Sequence, residues 1–127
     1  MIMLVTPIYS QGLKWQRLLA GDGQTRIENT AGSAAIVAAM IQPGVCVVSD
    51  QIDGDLSSFI TTLRRFAVHT EVIVIAFKFN QEEGKKALRA GAFIYVGPDV
   101  SPERFSAMVR AARQTGQPVH EISPTLH

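Results

Sequence analysis

The sequence predicts an α/β domain built on a doubly wound, five-stranded parallel sheet with helices on both faces. Three observations carry the prediction. Five short runs, four strongly apolar and rich in Val or Ile and one weak, recur along the chain as strands covered on both faces would. Segments with apolar residues at helical spacing separate them. The chain has 127 residues, 46% hydrophobic and 18% charged, which suits one globular domain and excludes a disordered chain.

The elements follow in order. The first strand is Ile2–Val5. Trp15, Leu18 and Leu19 mark the first helix, which ends near Gly21-Asp22-Gly23. The second strand, Thr25–Asn29, is the weak one. Ile36 with Met40, and Val37 with Ile41, mark the apolar stripe of the second helix, which Pro43-Gly44 ends. The third strand is Val45–Val48. Leu56, Phe59, Ile60, Leu63, Phe66 and Ala67 form one stripe of the third helix, with Asp55 as its N-cap. The fourth strand is Val72–Ile75, and the fourth helix, Gln81–Arg89, carries a short stripe of Ala87 and Leu88. Gly84 weakens that helix by about 1 kcal/mol relative to Ala. Phe93–Val96 is the fifth strand. Ser101-Pro102-Glu103 opens the fifth helix with a cap, a first-turn proline and an acid at the positive dipole end. Its stripe is Phe105, Met108, Val109 and Ala112. Alternation at this spacing implies right-handed crossovers and the flavodoxin-like strand order 2-1-3-4-5. The pattern stops after Thr115-Gly116, so the domain is expected over residues 1–116, with a tail or linker over 117–127.

Twelve basic against eleven acidic side chains give a net charge of +1, far from the balance of a domain that neutralises many phosphates by itself. Cys46, the single cysteine, excludes an intramolecular disulfide and sits in an apolar run as a buried, inert thiol. No run approaches the 18 or so residues of a membrane span, and the N-terminus has no basic n-region. A cytoplasmic protein that does not touch membranes is expected.

Sites in an open parallel sheet form beyond the carboxyl ends of the strands. The candidates are Thr6-Pro7, Asp50, Ala76-Phe77 and Gly97-Pro98-Asp99. Asp50, directly after the central strand, is either a hydrogen-bonded acid of the turn or a nucleophile toward phosphoryl groups. Asp53 and Asp55 read as a turn residue and a helix cap rather than metal ligands. His69, His120 and His127 are too scattered for a metal site. Phe77 and Phe79 either line a pocket or fill space, and Trp15 reads as core. Thr6–Gly12 could place a phosphorylated ligand at a helix start, but it lacks a glycine-rich cradle. No Ser-His-Asp or Cys-His arrangement suggests an enzyme.

The order of elements, Asp50 after the third strand, Ala90-Gly91-Ala92 before the fifth and Tyr95-Val96 within it resemble a response-regulator receiver (CheY-like) domain. Ser10-Gln11-Gly12-Leu13 with Leu18-Leu19, the stretch Asp99–Arg104, Ala111-Ala112-Arg113 and Gly116-Gln117-Pro118 resemble the NarL/FixJ (LuxR-type) transcription regulators. The resemblance spans about residues 2 to 116. It implies a two-component signalling module, with Asp50 as the phosphoacceptor position and a histidine kinase as a possible partner. It also implies DNA contact only through a helix-turn-helix output domain beyond this chain.

The departures from the family pattern are chemical. The acidic pair that holds Mg²⁺ falls on Thr6 and Pro7. The Thr or Ser after the fourth strand falls on Ala76, and the Lys after the fifth on Pro98. The loop after the acceptor reads Gln51-Ile52-Asp53-Gly54-Asp55. One carboxylate in place of three forfeits most of the attraction for Mg²⁺, and nothing else stabilises charge developing in phosphoryl transfer. The expectation is an atypical receiver with neither cofactor nor metal. The family's dimer face would offer Lys85, Lys86, Arg89, Glu103, Arg104 and Arg110, with Tyr95 nearby, and a homodimer is expected.

Overall fold

The structure is a computed structural model and describes residues 1–114 and 121–123. The strands are β1 (Ile2–Val5), β2 (Thr25–Glu28), β3 (Val45–Ser49), β4 (Glu71–Ile75), β5 (Ile94–Val96) and β6 (Glu121–Ser123). The helices are α1 (Tyr9–Leu18), α2 (Ala31–Ile41), α3 (Leu56–Phe66), α4 (Gln81–Ala90) and α5 (Pro102–Arg113). All strand pairs are parallel, in the order β2-β1-β3-β4-β5-β6. The first five therefore take the expected 2-1-3-4-5 order.

Side chains alternate across a strand, so the apolar runs split between two cores. Met3, Val5, Cys46, Val48, Val72, Val74 and Tyr95 point toward α2, α3 and α4. Ile2, Leu4, Val45, Val47, Ile73, Ile75, Ile94 and Val96 point toward α1 and α5. Trp15 lies in this second core, its ring tilted against Phe105 at 6.2 Å. Cys46 is wholly buried, and desolvation drives its thiol well above the usual range.

The expected caps form. The Asp55 carboxylate accepts from Ser58 N–H at 2.9 Å at the start of α3, and Ser101 Oγ accepts from Arg104 N–H at 3.2 Å at the start of α5. Thr30 caps α2 and Asn80 caps α4 in the same way. Gly91 ends α4 at φ +117°, where Arg64 Cγ would lie 2.8 Å from an added Cβ. Both the backbone and the space there require glycine.

Two features differ from the sequence reading. The stripe expected on α2 faces the wrong way: Ile36, Met40 and Ile41 are exposed, whereas Ala34 and Ala38 are buried against the sheet. Residues of α2 are apolar all round, so polarity cannot choose its inner face. Size chooses it, because alanines let the helix lie close to β1 and β2. The second difference is β6. Most of the expected tail, and the boundary at 116, lie outside the described residues, but Glu121–Ser123 pair with β5 through Ile94↔Glu121, Tyr95↔Ile122 and Val96↔Ser123.

Leu63, buried in α3, and Met40, 77% exposed in α2, test the assignment of inward and outward helix positions. Urea unfolding is expected to show a loss of about 2–5 kcal/mol for Leu63→Ala. At concentrations where the chain is monomeric, Met40→Ala is expected to change stability by no more than about 0.5 kcal/mol.

Candidate functional site

The carboxyl ends of β1, β3, β4 and β5 meet at one edge of the sheet. Asp50 emerges there from β3, whose five residues are all buried. Its backbone N–H donates to Ile75 O at 3.3 Å, and its Oδ1 accepts from the Phe77 N–H at 2.8 Å. The carboxylate thus ties the β3 end to the loop after β4. Partial burial raises its pKa above the ordinary carboxylate value. The Phe77 hydrogen bond opposes that shift, and the charge of Glu83 adds to it.

Asp50 faces a cavity of about 340 Å³ lined also by Asp55, Leu56, Ser57, Glu83, Lys86 and Tyr95. Three carboxylates and one ammonium line it. Lys86 Nζ lies 3.4 Å from Glu83 Oε1, and the Asp55 carboxylate is committed to Ser58, whose hydrogen bonds lower its pKa. Among the described residues no three His, Cys, Asp or Glu side chains converge as a metal-binding group.

The other sequence-picked positions are not at this cavity. Thr6 is wholly buried: its hydroxyl donates to Gln11 Oε1 at 2.7 Å and accepts from Ile8 N–H at 3.1 Å. Pro7 is exposed and carries no ligand atom. A methyl group and a pyrrolidine ring take the two remaining places. Ala76 is buried, its N–H bonded to Val96 O at 2.8 Å, and Pro98 lies over a separate hollow of about 90 Å³ with Gln11, Lys14, Trp15 and Phe105. None of Thr6, Pro7, Ala76 and Pro98 carries a carboxylate, the group that suits a hard divalent cation.

Asp53 accepts from the Ala31 N–H at 2.8 Å and anchors the start of α2. Gly12 lies within α1, where an added Cβ would meet Ile27 Cγ2 at 3.0 Å, so its smallness serves packing of α1 on β2. Phe79 fills space, its ring tilted on Tyr95 at 5.7 Å, whereas Phe77 is exposed.

The residues of the expected dimer face are placed as follows, with Arg110 the one that turns away from it. Tyr95 is wholly buried, and its hydroxyl accepts from the Asn80 N–H at 3.1 Å, so it points into the core. Arg110 turns the other way and pairs with Asp22 Oδ1 at 3.1 Å, beside the turn after α1. The open edge of β5 is paired with β6. Lys85, Lys86, Arg89 and Glu103 are exposed, and Arg104 is partly buried. Lys85 and Lys86 each sit beside an acid of their own helix, Glu82 and Glu83.

Glu83 was not among the sequence-picked residues. Its signal is the spacing Asn80-x-x-Glu83, which marks a helix start facing the strand ends.

Comparison with solved structures identifies the architecture. The signal receiver domain of the response regulator NarL from Mycobacterium tuberculosis superposes with a TM-score of 0.82 at 15% identity, covering 91% of this chain and 96% of that one. The fold is that of response-regulator receiver domains. The beryllofluoride-activated NtrC4 receiver-domain dimer gives a TM-score of 0.82 at 23% identity, covering 89% of this chain and 95% of that one. A DNA-binding response regulator of the LuxR family from Staphylococcus aureus gives 0.77 at 14% identity, covering 89% of this chain and 98% of that one. No protein-family model and no curated protein matches the sequence. Within the receiver fold, Asp50 occupies the end of the central strand, and no helix among the described residues is long and apolar enough to cross a membrane.

The raised pKa of Asp50 has a thermodynamic consequence. The folded state holds the proton more tightly than the unfolded chain, so ionisation costs stability as pH rises through the carboxylate range. Asp50→Asn keeps an oxygen for the Phe77 N–H and removes the charge. Denaturation at neutral pH is expected to show the variant more stable than the parent. The advantage should shrink as pH falls below the carboxylate range.

Proposed function

We propose that this domain is an atypical receiver, a non-catalytic signalling module that works through protein contacts without accepting phosphate at Asp50. One observation carries the reading. The Asp50 carboxylate at the end of the central strand has a backbone N–H as its partner, while Thr6, Pro7, Ala76 and Pro98 stand where the resemblance places metal ligands, a hydroxyl and a lysine. Phosphoryl transfer needs charge stabilisation that these groups do not supply. The hydroxyl-driven switch is missing as well. Ala76 has no oxygen to pull on a phosphoryl group, and Tyr95 is held inward by Asn80 and Phe79.

The module acts in the cytoplasm, and its partners are proteins: a second copy or another signalling protein. Likeness to the Staphylococcus aureus DNA-binding regulator supports control of transcription, with DNA bound by an output domain outside this chain. A second reading, phosphorylation of Asp50 by a histidine kinase, draws on the half-exposed carboxylate and its open cavity.

Intact-mass measurement after incubation with acetyl phosphate and Mg²⁺ separates the readings. The mass is expected to stay unchanged. Stoichiometric gain of a phosphoryl group that Asp50→Ala abolishes would establish Asp50 as a phosphoacceptor instead.

A further inference from the structure

We propose that two copies of this chain associate through the outward face of α2, packed antiparallel across a two-fold axis at Ile36. Residues 31–41 of α2 include no charged side chain and are apolar except for Ser33. A helix apolar all round is ordinarily buried all round. Here only Ala34 and Ala38 are buried, and Gly32, Ile36, Ala39 and Met40 form an exposed stripe at helical spacing. Ile36 is 64% exposed and Met40 77%, while Phe66 and Val68 are exposed at the neighbouring end of α3. Gln42 joins the two helix ends by donating to Phe66 O at 2.8 Å. With Ile41, these side chains expose on the order of 500 Å², the upper range for a monomer and over half of the roughly 800 Å² that one partner buries in a standard interface.

The shape of the stripe specifies a second copy. An antiparallel pair centred on Ile36 places residues four before and four after it opposite one another, about 6 Å along the axis. Met40 of each copy then falls on Gly32 of the other. An added Cβ at Gly32 would meet nothing within 4 Å, so this glycine leaves a hollow. The hollow adjoins an open groove of about 330 Å³ whose lining includes Ala31, Ala35, Phe59 and Thr62. The largest protrusion of the stripe thus meets its largest indentation, as a two-fold contact requires.

Charge supports the same direction. Asp53, bonded to the Ala31 N–H, and Asp55 flank the amino end of the stripe. Arg65, its guanidinium 5.6 Å from the Phe66 ring, flanks the carboxyl end. Antiparallel packing brings the acidic end of each copy to the basic end of the other, and the uncharged middle meets itself without repulsion. The inference deepens the contact-based reading of the domain without requiring it: phosphorylation is read by mass and association by sedimentation, so either can fail alone.

Sedimentation of the full chain across a concentration series is expected to show a monomer–dimer equilibrium. Met40→Glu should weaken it at least tenfold, and Gly32→Leu should do the same by filling the hollow. Both positions face open space, so thermal melts should remain cooperative. Oxidation of a mixture of G32C and M40C chains should yield the mixed disulfide dimer in preference to either homodimer, with buried Cys46 unreactive. A chain that stays monomeric to its solubility limit overturns the proposal. So does a dimer that both substitutions leave unchanged.

Discussion

Enclosure of β3 on every side is the constraint on which the rest of the molecule depends. Val45–Ser49 are all buried, with β1 on one edge and β4 on the other. Buried backbone donors and acceptors must be paired, so both neighbours are held in register along the strand. Both faces of the strand must also be covered, and the alternating side chains assign Cys46 and Val48 to one helical layer and Val45 and Val47 to the other. Where this enclosure ends, the chain emerges at Asp50. The acid is therefore positioned by the least deformable part of the fold, whatever chemistry surrounds it.

The side chains around it are engaged in packing and local hydrogen bonds. Thr6 spends its hydroxyl on Gln11, Ala76 presents a methyl group, and Pro98 covers a hollow on the other side of the sheet's end. The Asp50 carboxylate holds the loop after β4 through Phe77. Tyr95 is fixed by Phe79 and by the Asn80 N–H. The end of the sheet keeps the architecture of a receiver and behaves as a braced joint. Its unspent apolar surface lies elsewhere, on α2, where alanines pack inward and the larger residues are left facing out.

Much of this was legible in the chain, because local patterns and tertiary demands agree there. The strands lie within a residue or so of the Val- and Ile-rich runs, since double-sided burial leaves no alternative composition. Asp55 and Ser101 cap α3 and α5 because their short oxygens satisfy orphan N–H groups next to them in sequence. The α2 stripe was misread for the opposite reason: with apolar residues on every side, periodicity carries no information about which side faces the sheet. Arg110 points away from the expected face because its partner, Asp22, comes from another element.

By itself the sequence determined the layer architecture, the strand order and the residue types that stand at the strand ends. These follow from which residue types occupy which positions. Tertiary structure alone decided which face of α2 is buried, where Tyr95 and Arg110 point, and that β6 closes the edge of β5. Each of those outcomes depends on volume and hydrogen-bond partners supplied by segments distant in the chain, and no local pattern encodes them.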